Sequence, residues 1–403
     1  MSGRAHGNSL ALFVLTVIAL APAGLAQTSK PAGSQLILLD GAAVPFESLD
    51  IQAGRLRGDG VPADLTLDDL RRIELPAAAA PSQEKPAAIV DLRGGGRLLA
   101  KSVALSNELC RVEWGGGEPL SLPVDLLRAI RLDPNVANVE FEKAIATPSA
   151  ELDRIFIRDE AGKLSSVTGL VDSLDLEQSK IEVSGEVRQV PRSRVFGIVC
   201  AQPAASETPP HCQVAFLDGS VLGGETLSLK DKMATISFGS GGHAEFPWSK
   251  AARVAIRSSR VAFLSDLKPI AEEQQPIVTL PLAARHDKSV SGQPLTLGTR
   301  IYEKGLGVHA RSSLTFAADK KWDQLVATIG LDAAANGKGD CVFVVLADGQ
   351  PLLTQRIKGT DPPAEIQLPI TGRQQVTLLV EPGEGLDLAD HANWCDVRFI
   401  KNK

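Results

Sequence analysis

The chain has 403 residues, 44% apolar and 22% charged, a balance that excludes wholesale disorder and leaves room for several small domains. Its formal net charge of −6 gives no global basic footprint, which argues against nucleic acid as the main partner. Aromatic residues make up only 4%, with Tyr302 the single tyrosine, and 25 Pro and 36 Gly favour many short segments over long helices.

At the N-terminus, Arg4 and His6 precede an apolar run from Leu10 to Leu20, followed by Ala-Pro-Ala-Gly-Leu-Ala-Gln. This charged, apolar, small-residue order predicts a secretory signal over 1–26, cleaved after Ala26. The run is about half the length of a membrane span, so no transmembrane segment is expected once it is removed. Export permits disulfides among Cys110, Cys200, Cys212, Cys341 and Cys395. Cys200–Cys212 closes a short loop and Cys341–Cys395 joins two predicted strands; an odd count leaves Cys110 over. With no CxxC and no helical HxxxH, structural zinc is not expected.

Behind the signal one pattern recurs. An apolar strand runs into a Gly turn at QLILLDG (35–41), AIVDLRGGG (88–96), RIFIRDEAG (154–162) and QVAFLDGS (213–220). Three copies close alike, with an apolar residue before Pro123, Pro191 or Pro247 and, eight positions after it, Ile130, Ile198 or Val254. The first copy closes as LTLDDLRRIEL (65–75), without the proline. Proline suits the first position of a short 3₁₀ turn, where its fixed φ fits and its missing N–H costs nothing. Strand, tight turn, strands, proline-opened turn and final strand describe a small five-stranded barrel. The layout resembles the SH3-like and Sm-like barrels. Repeats are expected at 35–76, 87–134, 153–200 and 211–260, with neighbours packed together because one such barrel has a marginal core. The stretches 76–86, 133–150, 200–212 and 267–276 are rich in proline, small or charged residues and read as extended spacers.

Short apolar segments with no helical period follow to the end of the chain. Ile366, Leu368 and Ile370 alternate with polar or proline positions, as do Cys395, Val397 and Phe399, and Asp348-Gly349 marks a hairpin turn. The reading is a β-sandwich over 277–402, making the whole an all-β protein of tandem small barrels and a C-terminal sandwich. Its markers, KGLGVHA at 304–310, the valine-rich strand ending in Asp348-Gly349, and DHANW at 390–394, occur together and in order. In that combination the segment resembles the NPCBM/NEW2 domain, a carbohydrate-binding module found beside family 98 glycoside hydrolases. The resemblance implies a jelly-roll, galactose-binding-like sandwich whose partner is a glycan or polysaccharide. In place of the apolar or tyrosine-bearing strand usual after the histidine motif, this chain has SSLTFAADKKWDQL, which puts loop-borne glycan specificity in doubt.

Sugar recognition needs an apolar, usually aromatic face and fixed polar groups for the hydroxyls. The candidate set is His309, Arg311, Trp322, Asp390, His391 and Trp394. Trp394 is placed either in the sandwich core or on the ligand. His309 either binds a hydroxyl or pins two strands from within the core, and in both cases it is expected to converge on Asp390, His391 or Trp394. Asp332, Asn336 and Asp340 offer oxygens to calcium, without the spacing of an EF-hand; no other cofactor is expected. No GxSxG, P-loop or HExxH occurs, and residues 27–276 are too fragmented for a catalytic (β/α)₈ barrel. The sequence therefore predicts an exported, non-enzymatic glycan-binding protein of periplasm, cell surface or medium. A protein-binding scaffold of the cell envelope, or an accessory subunit of a polysaccharide-degrading system, is the alternative.

Overall fold

The computed structural model describes residues 33–76, 85–106, 108–202, 209–239, 242–278 and 281–403; the predicted signal, 1–26, lies outside them. The fold is almost wholly antiparallel β. No described helix is long and apolar enough to cross a membrane.

In each of the four repeated segments the first strand pairs with the last: Gln35–Leu38 with Leu70–Glu74, Ala88–Leu92 with Leu127–Arg131, Asp153–Arg158 with Val195–Val199, and Cys212–Phe216 with Ala251–Ile256. A 3₁₀ turn precedes each last strand. The prolines sit one residue earlier than expected: Pro123, Pro191 and Pro247 end the preceding strand and cap the turn instead of opening it. The first segment has Thr66 there, whose N–H and hydroxyl both donate to Asp69 Oδ2, at 3.0 and 2.8 Å. A reciprocal side-chain cap thus replaces the proline.

The last strands also pair with each other. Ile130 lies opposite Ile198, joining segments two and three, and Ile73 lies opposite Val254, joining one and four. All four side chains are fully buried, so the equivalent closing residues form the seams. Bridges at Leu105–Leu174, Arg97–Val221 and Ile51–Leu229 link the units further, and one continuous core runs from Leu36 to Ile256.

Two stretches read as spacers are structured. Residues 139–146 form a helix whose N-terminus is capped by Asn138, accepting from Phe141 N at 2.8 Å. Phe141 and Ala144, three apart on one face, pack against Phe156 and Phe196. The stretch 267–276 holds the strand Ala271–Gln274, which adds to the sandwich edge through Ser312–Ala317. Its side chains are mostly exposed, so backbone pairing alone holds it. Val261–Phe263 pairs with the final strand, and Leu264 is buried in the sandwich core. The sandwich therefore starts some fifteen residues before the expected linker ends, about residue 260.

One sheet of the sandwich is built on Gly305–His309, His391–Ile400, Gln324–Leu331 and Ala364–Pro369. The other runs through Ala271–Gln274, Ser312–Ala317, Gln375–Pro382, Asp340–Ala347 and Gln350–Lys358. Asp348 and Gly349 both take positive φ, 50° and 77°, as the expected two-residue hairpin turn requires. Between the sheets lie Leu306, Val308, Phe316, Phe343, Trp394 and Phe399.

The sandwich docks on the first repeated segment. Arg398, 2% exposed, donates Nε to Leu39 O at 2.8 Å, Nη2 to Asp40 O at 2.7 Å and Nη1 to Asp396 O at 2.7 Å. Leu39, Val326 and Ile400 form a small apolar cluster beside it. Arg71 pairs with Asp396, and Arg260 and Lys403 with Asp69. Against the upward pull of burial, Lys403, Thr66 and Arg260 hold Asp69 down to about 2.

Candidate functional site

The motif KGLGVHA becomes a strand because its glycines admit a close neighbour. A Cβ on Gly307 would lie 2.4 Å from Lys288 O, and one on Gly305, at φ 147°, 2.5 Å from Trp394 O. Leu306 and Val308 point into the core, which leaves His309 on the outer face. Directly opposite in register is His391, with ring centroids 5.8 Å apart. Ala310 N donates to Asp390 O at 3.2 Å. His309, Asp390 and His391 are thus brought together, as expected from the two motifs.

The cluster is a layered one. His309 is 2% exposed and Asp390 1%, while His391 is half-buried and Arg311 exposed. Burial lowers the pKa of His309, with neighbouring His391 adding to it, so the ring is neutral near pH 7. Its Nδ1 has no partner among the described residues. Asp390 Oδ1 accepts from Asp340 N at 2.8 Å, and burial pushes its carboxyl up to about 6. Asp387, fully buried, accepts from Ile277 N at 2.7 Å and Val278 N at 3.1 Å. Asn393, also fully buried, donates to Asp332 Oδ2 at 2.6 Å. Sequence reasoning missed Asp387 and Asn393. The only available signal was a crowd of polar residues, 387, 390, 391 and 393, beside a strand too apolar to face water on both sides.

Of the two placements left open for Trp394 and His309 the structure shows the buried one, and the other candidates fall elsewhere. Trp394 is 1% exposed and meets Phe343 edge to face at 5.1 Å, so it is core and offers a ligand no surface. His309 and Asp390 are both sealed from solvent. Trp322 stacks on Phe399 at 5.9 Å, at the far end of the final strand, roughly 25 Å from His391 at strand rise. The three calcium candidates are each engaged elsewhere: Asp332 accepts from Ala334 N, Asn393 and Thr296 N, Asp340 from Arg356 and Glu384 N, and Asn336 turns to Ala334 O. Among the described residues no group of three His, Cys, Asp or Glu is placed to hold a metal ion. All five cysteines are free and buried, so neither expected disulfide is formed. Cys341 faces the sandwich core, whereas Cys395 lies on the other face among Leu295, Leu297 and Tyr302. Cys212 Sγ donates instead to Gly224 O at 3.4 Å.

The Asp390 carboxyl makes a testable pH signature. Because its folded pKa is raised, the folded chain holds this proton more tightly than the unfolded chain between about pH 4 and 6. Stability from this group therefore falls as pH rises through that window, by up to about 3 kcal/mol. His309, held neutral, contributes in the opposite direction, losing stability as pH falls. Asp390→Asn keeps the acceptor for Asp340 N and removes the charge. It is expected to stabilise the sandwich by about 1–2 kcal/mol at pH 7.5, with the gain gone at pH 4.5, in paired urea titrations.

With this geometry in place, residues 260–400 match the NPCBM/NEW2 domain. Over 110 residues the chain is 34% identical to a Renibacterium salmoninarum protein named "Putative endo-alpha-N-acetylgalactosaminidase". That match takes in 27% of this chain and 7% of the other, so the chain spans a small fraction of that relative's length. Among solved structures it is similar to the CBM51 of Clostridium perfringens GH95 in complex with methyl-galactose, at 22% identity and TM-score 0.32, over 34% of this chain and 99% of that one. It is also similar to the CBM51-2 and INT domains of Clostridium perfringens ZmpB with GlcNAc, at 18% identity and TM-score 0.33, over 47% and 40% of the two chains. The tandem CBM51 modules of Streptococcus pneumoniae Sp3GH98 match at 13% identity and TM-score 0.32, over 91% and 88%. The C-terminal region of this chain is an NPCBM/NEW2 domain.

Proposed function

We propose that this is an exported, non-catalytic glycan-binding protein in which four barrel segments, 35–76, 87–134, 153–200 and 211–260, carry a C-terminal sugar-binding sandwich. The observation that carries the reading is the concentration of fixed polar groups, His309, Asp387, Asp390 and His391, at one end of a sandwich whose sequence matches a carbohydrate-binding family. His309, Asp390 and Asp387 make a floor in which Asp387 accepts from the amides of Ile277 and Val278 and Asp390 from that of Asp340. Half-buried His391 and exposed Arg311 then supply donors to sugar hydroxyls. Exposed Ile277, Val278, Leu386 and Leu388 flank Asp387 and offer the apolar surface that aromatics provide elsewhere.

The ligand class is a neutral glycan ending in galactose, N-acetylgalactosamine or N-acetylglucosamine. The test is binding of the mature chain, 27–403, to immobilised glycans of each kind. His391→Ala and Arg311→Ala are each expected to weaken binding about tenfold, roughly 1.4 kcal/mol, with the thermal transition unmoved. Unchanged binding in the double variant removes this site. A folded chain that binds no glycan at millimolar concentration leaves the envelope-scaffold reading instead.

A further inference from the structure

The junction between barrels and sandwich holds a second constellation, independent of the neutral-glycan reading and roughly 20 Å along the final strand from His391. Two adjoining cavities of about 300 and 510 Å³ open there, sharing the walls Arg71, Arg72, Glu74, Arg300 and Asp396. Both volumes fall in the range of small-molecule sites. The junction is built from two packed units, so its walls are fixed by strands on either side.

Two guanidiniums in this cleft, those of Arg300 and Arg398, make no ion pair among the described residues. Asp396 is taken by Arg71 at 3.1 Å, Glu74 by Arg72 at 2.7 Å and Glu303 by Arg253 at 2.9 Å. Arg398 spends its guanidinium on three carbonyl oxygens and pairs with no carboxylate. Arg300, exposed, lies over the Tyr302 ring at 4.7 Å and has no ion pair. The Arg71 side chain is only 10% exposed, stacked over Phe263, and its Nε is buried without an acceptor. Asp40 and Glu365 also border the larger cavity; Asp40 Oδ1 already accepts from Ala42 N. Burial, with like-charged Arg71 and Arg72 adding to it and Asp396 and Asp40 opposing, pushes Arg398 down to about 9.

We propose that this cleft, walled by Arg71, Arg72, Arg300 and Arg398, binds an oxyanion carried on a saccharide, a uronate carboxylate or a sulfate ester. A planar or tetrahedral oxyanion accepts the forked guanidinium donors that neutral carbonyls only partly use. Gln35, Gln367 and Thr328 on the walls provide amide and hydroxyl partners for the sugar ring. The ligand would bridge the barrel unit, through Arg71 and Arg72, to the sandwich, through Arg300, while buried Arg398 keeps its bonds to the three carbonyls.

The experiment is calorimetric titration of the mature chain at low, matched ionic strength with three probes. These are a digalacturonate, a sulfated disaccharide, and a neutral galactobiose. At least one anionic probe is expected to bind here, and which one does so identifies the oxyanion. Arg300→Ala, an exposed change away from the docking contacts, is expected to lower that affinity at least about tenfold without moving the thermal transition. His391→Ala is expected to leave it unchanged, which separates this site from the sandwich end. Anionic probes no tighter than galactobiose, or binding in Arg300→Ala equal to that of the parent chain, overturns the proposal.

Discussion

Trp394→Ala is expected to destabilise the sandwich by about 3–5 kcal/mol, the usual cost of emptying a buried aromatic site. The indole sits opposite Leu306 on one side and Ile329 on the other, with Phe343 against its face edge to face. Both neighbouring strands are hydrogen-bonded to Trp394's own strand, which limits how far they can move in to fill the void. A residue that served the ligand would behave otherwise, losing affinity at constant stability. Urea unfolding of the full chain, followed by far-UV circular dichroism, checks the difference. Trp394→Phe is expected to recover part of the loss, since it refills most of the volume.

Arg398→Met is expected to loosen the sandwich from the barrels by about 3–5 kcal/mol. The change keeps an unbranched apolar stem but removes three charge-assisted hydrogen bonds, and the carbonyls of Leu39, Asp40 and Asp396 lose their donor. Water can rehydrate those carbonyls only if the units part, so the loss is expressed as undocking more than as unfolding of either unit. Calorimetry is expected to resolve two transitions where the parent chain has closer ones. Limited proteolysis should gain a cut at 257–260, where the last barrel strand passes into the sandwich. Arg398→Lys should fall on the same side, because a single ammonium does not span three acceptors set around a planar fork.

The parts of the fold that were legible in the sequence are those that a single residue dictates locally. Asp348-Gly349 announces its turn because both positions need positive φ, and Pro123, Pro191 and Pro247 mark three 3₁₀ turns through their fixed φ. What escaped depends on backbone pairing or on context. Ala271–Gln274 carries Glu-Glu-Gln on a sheet edge and has nothing apolar to betray it. The helix at Val139–Ala146 is only two turns long and owes its place to Phe141 meeting two distant phenylalanines. The alternation Cys395, Val397, Phe399 suggested one face, but Asp396 takes φ 51° and the pairing with Gln324–Leu331 shifts register there. That bulge sends Cys395 to the outer face while Val397 and Phe399 stay inside. At the site, the two histidine-bearing motifs pointed correctly to one another, yet burial could not be read from them. The layer of Leu295, Leu297 and Tyr302 covering the outer face comes from a segment whose fold-back leaves no periodic trace.

The seams between the repeated segments are nested like brackets, two with three inside, one with four outside. A chain emerging from its N-terminus completes the inner seam as soon as Val195–Val199 appears. The outer one stays open far longer: Leu70–Glu74 must wait, one flank unpaired, until Ala251–Ile256 arrives after two whole intervening segments. During that interval a bare strand edge bearing Ile73 is the point most exposed to a wrong partner, including the same strand of another nascent copy. Arg71 and Arg72, standing beside Ile73, place like charges along that edge, so two such strands repel in trans until the sandwich brings Asp396 to Arg71. The residues that later anchor the finished molecule thus guard an edge that stands open while it is still being made.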